Sequence, residues 1–378
     1  MNVRRPLDIL IVGHYFPPFN TPRSFRTYEL GRELARNGHR VTFRVLKGDY
    51  DYSDIENENL QVLGFGKSRL GNVDSAGYYS KNWILRGLAK YLVAYEFPAI
   101  ELMWMITRNI KNITDYDMVI SIAYPYPVHW GVGRLLQRIP KEKRPLWISD
   151  CGDPYTGNPM AHFFSGFKRV EKWWGNLTDY ITIPIESARQ AYFPEVREKI
   201  RVIPQGFNFS DVKLSKYIKN DVPTFIFSGM LYKDTRDPRQ FIRYLLKKDC
   251  HFRFIIYTRE KSLFNEFDKE LGERIIVNDY IPREQLILEL SKADFLINIV
   301  NTGIVQAPSK LIDYSLSGRP ILNISSEFKE HLTVDQFLDG NYSGQFIPEG
   351  IENYDIRNVA AKFLEIYYNH KKQYFGYF

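Results

Sequence analysis

Short apolar runs of strand length alternate with helical segments along nearly the whole sequence. The first run, Asp8–Gly13, is apolar almost throughout, which is typical of a central strand in a parallel sheet. Thr21 and Pro22 can begin a helix that ends at Asn37–Gly38, and Arg40–Leu46 is the next strand. This strand–helix–strand unit recurs, and its recurrence predicts an α/β fold with doubly wound parallel sheets. Ligands of such sheets bind at the carboxyl ends of the strands.

The alternation runs in two series, which are separated by a polar and charged stretch at 208–222. A length of 378 residues suits two domains better than one core. We therefore predict a first Rossmann-like domain over 1–207, a linker over 208–222 and a second Rossmann-like domain over 223–357. Residues 358–378 contain a predicted terminal helix, Asn358–His370, which we expect to pack back on the first domain.

The other predicted elements follow the same alternation, and residues 49–82 are predicted to be loop-rich. The further predicted strands are Asp117–Ala123, Leu146–Ser149, Tyr180–Pro184, Ile200–Ile203, Thr224–Ser228, Phe252–Tyr257, 274–277 and Phe295–Ile299. The further predicted helices are Val132–Arg138, Phe167–Asn176, one that begins at Ser187, Arg239–Lys247, 263–271 and Arg283–Leu290.

Charge is distributed unevenly along the chain, whose formal net charge is +7. Residues 1–206 hold 28 Lys and Arg against 21 Asp and Glu, whereas residues 207–378 hold 23 of each kind. A basic half predicts an acidic partner surface, such as anionic lipid or a phosphorylated substrate. No nucleic-acid-binding motif is present, so we expect no nucleic-acid partner.

Cysteine content and hydropathy bear on where the protein works. Cys151 and Cys250 are the only cysteines, which argues against a disulfide framework and for a reducing compartment. Leu7–Gly13 is too short for the apolar core of a signal peptide. Tyr91–Ile106 is the best candidate for a membrane span, but two glutamates and a proline interrupt it. We therefore expect a cytoplasmic location, on or near the membrane face.

The segment Tyr78–Ile113 combines aromatic, apolar and basic residues. A helix of this composition can lie on an anionic membrane. The alternative is a helical pair that packs on the sheet with its aromatic side chains inward. Composition favours the second interpretation, and the two are compatible.

The stretch Gln306–Ile324 predicts a loop, a short helix, a glycine stop and a buried strand. Pro308 suits the first helical turn, Ser309 beside it can cap that turn, and Gly318 suits the residue just past the helix. The free N–H groups of the first turn and the positive helix end make an anion site, which Lys310 strengthens.

Asp313 lies about one helical turn beyond Lys310. A phosphate at the helix start would place an attached ribose near this carboxylate, so the stretch predicts a site for a nucleoside diphosphate. The alternative is an ordinary capped helix that carries a Lys310–Asp313 surface pair.

Short motifs in a fixed order extend over nearly the whole chain. They are Tyr15–Pro18, Leu30–Val41, Ile148–Pro154, Ile181–Ser187, Val202–Phe207, Ser228–Tyr232, Arg236–Pro238, Tyr280–Leu286, Ala293–Ile297, Pro308–Tyr314 and Gly318–Leu322. Each motif is weak alone, but together they resemble those of family 4 retaining glycosyltransferases. The resemblance implies the GT-B fold, in which two Rossmann-like domains face each other across a cleft.

The resemblance also implies an activity. In that family the second domain binds a nucleotide sugar, here UDP- or GDP-linked, and the first domain binds the acceptor. We expect transfer with retention, without a metal or other cofactor. The basic, aromatic first half suggests a lipid-linked or polysaccharide acceptor, as in the synthesis of cell-surface polysaccharide, and contact with an anionic membrane.

The resemblance also implies which residues form the donor site. Arg236 corresponds to one member of a basic pair that binds the donor diphosphate, and Lys233 is the candidate for the other because Met230 stands at its usual place. Asp313 occupies the position of the glutamate that holds the ribose. Val305 replaces the glutamate that usually faces the sugar ring.

Two further departures concern the first half. The family often has paired glycines after the first strand, where this chain has Arg23 and Arg26. Either side chain could reach the donor phosphate, Arg23 being favoured, and the alternative is that both are helix-surface charges. Some relatives have a histidine near the position at which this chain has Asp150 and Asp153. Either carboxylate could orient or deprotonate the acceptor hydroxyl, or balance positive charge at the anomeric carbon. The alternative is a turn aspartate that caps the next helix, and His14 and His129 are reserve candidates.

Two other functions fit the same sequence. One is a nucleotide-sugar epimerase on this fold, which would release altered sugar without an acceptor. The other is a catalytically silent subunit that binds nucleotide or a partner enzyme and has lost the first glutamate.

Overall fold

A computed structural model describes residues 5–19, 21–46, 49–66, 68–69, 92, 94–158, 163–233, 235–300 and 309–375. The chain forms two compact units. The first unit comprises residues 1–207 and 353–378, and the second comprises residues 208–352.

Each unit contains one sheet in which all the paired strands are parallel. The strand order is β3-β2-β1-β4-β5-β6-β7 in the first unit and β10-β9-β8-β11-β12 in the second. The strands are β1 (Asp8–Gly13), β2 (Arg40–Val45), β3 (Leu60–Gly64), β4 (Met118–Ala123), β5 (Leu146–Cys151), β6 (Tyr180–Ile183), β7 (Ile200–Val202), β8 (Thr224–Ser228), β9 (Arg253–Tyr257), β10 (Ile275–Asn278), β11 (Phe295–Ile299) and β12 (Ile321–Ile324).

Both sheets reverse their strand order at one point, between β1 and β4 in the first unit and between β8 and β11 in the second. Ligands of doubly wound sheets bind beside this reversal, at the carboxyl ends of the strands. The predicted α/β fold with two Rossmann-like units is therefore confirmed. The α-helices in the described part of the chain are α1 (Pro22–Arg36), α2 (Glu101–Asn109), α3 (Pro127–Leu136), α4 (Phe167–Leu177), α5 (Arg239–Leu246), α6 (Arg283–Leu290), α7 (Ser309–Ser317), α8 (His331–Leu338) and α9 (Ile356–Phe375).

Local signals in the sequence account for the bounds of α1. The Thr21 side chain accepts a hydrogen bond from the Ser24 amide at 3.2 Å, and Pro22 occupies the first helical turn. Asn37 ends the helix, and Gly38 follows it with a φ of +84°. The apolar face of α1 packs on the sheet of the first unit.

The terminal helix α9 packs against α1 in the first unit, where Phe363 shares a core with Leu30. The chain leaves the first unit after Phe207 and returns to it just before Tyr354, and these two points lie side by side. The Phe207 amide donates to the Tyr354 carbonyl at 2.7 Å, and the Ile356 amide donates to the Phe207 carbonyl at 2.9 Å. The second unit is therefore an insertion between hydrogen-bonded neighbours of the first.

Two predictions need correction. Residues 49–82 were predicted to be loop-rich, but residues 60–64 form strand β3. The strand was missed because only Leu60 and Val62 carry its alternation of buried and exposed positions. The stretch 208–222, predicted to be a linker, belongs to the second unit. Its Tyr217 hydroxyl donates to Asp294 at 2.6 Å.

Short 3-10 helices replace two of the predicted α-helices, over Glu186–Ala191 and Lys261–Phe267. Most of the predicted aromatic segment before residue 92 lies outside the described residues. Within the described ranges, no helix combines the length and hydropathy that a membrane span requires.

Candidate functional site

The reversal point of the second sheet is fixed by the buried Tyr314 side chain on α7. Its hydroxyl accepts from the Ser228 amide at 2.8 Å and donates to the Ile297 carbonyl at 3.1 Å. One side chain thus joins α7 to the last residue of β8 and to the middle of β11. The Lys310 stem in the first turn of α7 lies beside Gly229, the residue after β8, so the helix starts at the carboxyl end of that strand, the position predicted to bind an anion.

Lys310, in the first turn of α7, has an ammonium group that is shielded from solvent. Its Nζ lies 4.9 Å from the centroid of the Phe227 ring and has no hydrogen-bond partner among the described residues. Burial, together with the positive charge of Arg236, lowers the pKa of Lys310 to about 7. An anion at this position would favour the protonated amine.

The turn after β8 brings the second cation to the same region. Gly229 has a φ of +137°, which favours glycine, and the space beside its Cα is bordered by the Lys310 stem. Arg236 is half-buried, pairs through its backbone with Tyr232, and donates to the Met230 carbonyl at 3.3 Å. Lys233 is exposed in the same turn.

Asp313 contacts Arg283, the first residue of α6. The Arg283 Nε donates to Oδ1 of Asp313 at 2.8 Å, and its Nη2 lies 2.6 Å from the same oxygen. Burial raises the pKa of Asp313, and the Arg283 guanidinium opposes that rise. The alternative of a Lys310–Asp313 surface pair is therefore wrong, because Asp313 pairs with a different helix.

The described part of α7 begins at Ser309, and the first N–H groups of a helix have no partner within it. The preceding loop, residues 301–308, lies outside the described residues and includes Pro308 and Val305. Site residues Lys310, Asp313 and Arg236 are thus brought together in the second unit, with Lys233 at their edge.

Asp150 lies inside the first unit rather than in a ligand loop. It is in β5, and its carboxylate accepts from Nε of Arg26 at 3.0 Å and from Nη2 at 2.7 Å. The Thr182 hydroxyl also donates to it, at 2.6 Å. The Arg26 charge and these hydrogen bonds lower the pKa of Asp150 against the effect of burial, which is the largest single influence. The predicted acceptor-handling role is corrected to a structural one.

Asp153 has the opposite environment, since 72% of its side chain is exposed. Its carboxylate lies 2.9 Å from Nη2 of Arg23, whose guanidinium fills the space beside Gly152. The Tyr126 hydroxyl donates to the Asp153 carbonyl and holds this loop from within. The half-buried Arg23, predicted to reach donor phosphate, is therefore paired with Asp153, an exposed candidate of the first unit.

His129 is a structural residue. Its Nδ1 lies 2.8 Å from the Ser121 hydroxyl, and its Nε2 lies 3.4 Å from Cys151 Sγ. Burial lowers the pKa of His129 to about 3, so the ring is neutral at physiological pH.

Two buried acids behind the Asp153 loop were not found by sequence reasoning. The Glu171 carboxylate accepts from the Thr156 amide at 3.1 Å. Glu96 is only 2% exposed, and burial raises its pKa to about 8, against the opposing effect of the neighbouring Tyr155 hydroxyl. The apolar stretch Tyr91–Ile106 around Glu96 was the local signal for its burial, whereas the basic neighbours of Glu171 gave none.

The architecture is shared with solved structures of glycosyltransferases. A glycosyltransferase from Rickettsia africae ESF-5 matches with a TM-score of 0.57 over 97% of this chain and 99% of that chain, at 13% identity. HepE of Anabaena, in complex with UDP, matches with a TM-score of 0.53 over 96% and 100%, at 10% identity. The lipopolysaccharide outer core galactosyltransferase WaaB matches with a TM-score of 0.51 over 96% and 100%, at 12% identity.

The chain shares its fold with these solved structures. No family model matches its sequence, and no curated protein matches it significantly. At these sequence identities the similarity shows a shared fold only. A function for this chain must therefore be argued from the residues of its site.

Proposed function

We propose that this protein is a family 4-like retaining glycosyltransferase that uses a nucleoside diphosphate sugar. The observation that carries the proposal is the shielded Lys310 amine, which has no hydrogen-bond partner in the described part of the chain, at the start of α7. A buried cation without a counter-ion is costly. A diphosphate supplies that counter-ion, with Arg236 nearby and, as further donors, the first amides of α7, which have no partner within the helix.

The chemistry follows from the charge that develops on the leaving group. When the bond between the anomeric carbon and the diphosphate breaks, negative charge grows on the phosphate oxygens. Lys310, Arg236 and Lys233 stabilise that charge electrostatically, and preorganised cations of this kind contribute most to such a step. Asp313 accepts hydrogen bonds from the ribose hydroxyls one turn further along α7.

On the acceptor side, the proposal assigns the acceptor hydroxyl to Asp153. Its carboxylate is exposed and lies beside Arg23 at the carboxyl end of β5. An ionised carboxylate in this setting can orient the attacking hydroxyl or accept its proton. Asp150 is left out of the mechanism because Arg26 and Thr182 already occupy its oxygens.

The proposed acceptor is carried by a lipid or a growing polysaccharide, with the protein at an anionic membrane surface. Tyr95, Phe97, Trp104 and Phe164 are exposed in the first unit, and the rings of Tyr95 and Phe164 stack 5.0 Å apart. Exposed aromatic side chains on a basic half suit a membrane interface. We expect the protein to bind vesicles that contain anionic lipid and not to bind zwitterionic vesicles. Equal binding to both kinds of vesicle, or binding to neither, would remove this part of the proposal.

The central test combines a panel of nucleotide sugars with thermal shifts in UDP and GDP. We expect sugar release or transfer with one donor, and a rise in melting temperature with its nucleotide. Lys310→Met should lose that rise, whereas the control Lys329→Met, which removes an exposed lysine of the same unit, should keep it.

The other outcomes separate the alternatives. No turnover and no thermal shift with any nucleotide would remove the proposal. Nucleotide binding without sugar release across the panel would instead favour the silent subunit, and release of an altered sugar without an acceptor would favour the epimerase.

A further inference from the structure

Arg283 occupies a position that local preferences do not favour. It is the first residue of α6, and a cation at a helix N-terminus interacts unfavourably with the helix dipole. The sequence therefore offers no local reason for an arginine here. Its contact with Asp313, thirty residues further along the chain, provides one.

Asp313 in turn needs a cation beside it. Only 15% of its side chain is exposed, so burial favours the neutral acid. A neutral acid is a weaker acceptor than a carboxylate for hydroxyl hydrogen bonds. Both Arg283 contacts are made to Oδ1, at 2.8 and 2.6 Å, which leaves Oδ2 as the oxygen that is not engaged by Arg283.

We propose that Arg283 is a positioning residue for the donor nucleotide, which holds the Asp313 carboxylate ionised and turns its second oxygen toward the ribose hydroxyls. This inference rests on the proposed function, because it concerns the same donor site. Aspartate is one methylene shorter than the glutamate expected at this place. The guanidinium from α6 compensates by fixing the shorter side chain in one orientation.

The alternative is that Arg283 has a purely structural role, since its ion pair with Asp313 also joins α6 to α7. The two roles differ in what they do to ligands with and without a ribose. A structural tie that held the start of α7 would affect every anion bound there. A positioning role affects only ligands whose ribose reaches Asp313.

The experiment measures affinities of wild type and Arg283→Met by calorimetry, for UDP or GDP and for inorganic pyrophosphate. At pH 7 we expect a loss of about tenfold or more for the nucleotide and an unchanged affinity for pyrophosphate. The nucleotide loss should shrink as pH rises, because Asp313 without its cation regains charge only at higher pH. The control Arg243→Met, which removes the Arg243–Glu266 pair of the same unit, should change neither affinity.

Two further variants keep the result interpretable. Arg283→Lys retains the charge but not the two-contact geometry. It should therefore weaken nucleotide binding without adding a pH dependence. This variant replaces Arg283→Met in the test if the methionine variant does not fold. Asp313→Asn combined with Arg283→Met should cost no more than Asp313→Asn alone, because the two residues act as one unit.

The outcomes are distinct. Equal losses for nucleotide and pyrophosphate, or an unchanged nucleotide affinity at every pH, would overturn the inference while leaving the donor site in place. A wild-type protein that binds neither nucleotide would overturn the proposed function and this inference with it.

Discussion

Arg26 and Asp150 form a two-contact ion pair in the interior of the first unit, with only 3% and 4% of their side chains exposed. The pair joins α1 to β5, and the Arg26 guanidinium also donates to the Pro204 carbonyl at 2.5 Å. Removing one partner of such a pair leaves an uncompensated buried charge. We therefore expect this ion pair to stabilise the first unit.

Asp150→Asn should lower the free energy of unfolding by about 3–5 kcal/mol, as measured by urea denaturation. Asp8→Asn is the control, because it removes the partly exposed Asp8–Arg40 pair at the start of β1 and β2 and should cost less than about 1 kcal/mol. A stable Asp150→Asn protein that lost only the proposed transferase activity would restore the catalytic role expected from the sequence.

Asp153→Asn should reduce turnover by about 10²–10⁴-fold and leave the melting temperature nearly unchanged, because its carboxylate is exposed. The measurement is transfer rate at saturating donor, once a donor is known. Nucleotide affinity serves as the internal control and should not change. Full activity in this variant would exclude Asp153 from the chemistry.

Glu96→Gln should change how stability depends on pH. Because burial raises the folded-state pKa of Glu96 from 4.5 to about 8, the folded state binds a proton more tightly than the unfolded state does. Its contribution to stability is therefore present below pH 4.5 and is lost as pH rises toward 8, by about 1.4 kcal/mol per pH unit.

The glutamine variant lacks this loss, so its stability relative to wild type should rise with pH across that window in denaturation series. Glu198→Gln, which neutralises an exposed glutamate of the same unit, is the control and should follow wild type. Parallel curves for wild type and Glu96→Gln would contradict a buried neutral acid at this position.

Nucleotide binding should be accompanied by proton uptake above pH 7. The free Lys310 amine has a pKa of about 7, and a bound diphosphate favours its charged form. Calorimetry at pH 8 in two buffers of different ionisation enthalpy should therefore reveal uptake of a proton, and affinity should fall as pH rises. Lys310→Met should bind more weakly with no such uptake, and a wild-type protein without uptake would show that Lys310 does not meet the anion.

The sequence predicts regular elements well where one signal decides them. Asp8–Gly13, Thr224–Ser228 and Arg283–Leu290 have the predicted bounds, because a continuous apolar run or a helix start after proline identifies each. Strand β3 was missed since its alternation covers only two buried positions. Element type is thus readable from short-range pattern when the pattern is long enough.

Partners distant in sequence were not predictable in the same way. The Asp150 carboxylate was expected in a loop because a turn-rich sequence follows it, but its role is decided by Arg26, which lies 124 positions earlier. Asp313 was assigned to the donor site by its spacing from Lys310, whereas Arg283 was found only from the packing of α6 on α7. Spacing within one element nominates site residues, and only tertiary contacts select their partners.

The hydrogen bonds between Phe207 and residues 354 and 356 have a practical consequence. Since the polypeptide departs and returns at adjoining positions, a short glycine-containing bridge could replace residues 208–352 without stretching the backbone. Excision would yield two smaller proteins, one for each predicted substrate. Donor recognition and acceptor recognition could then be assayed in separate tubes.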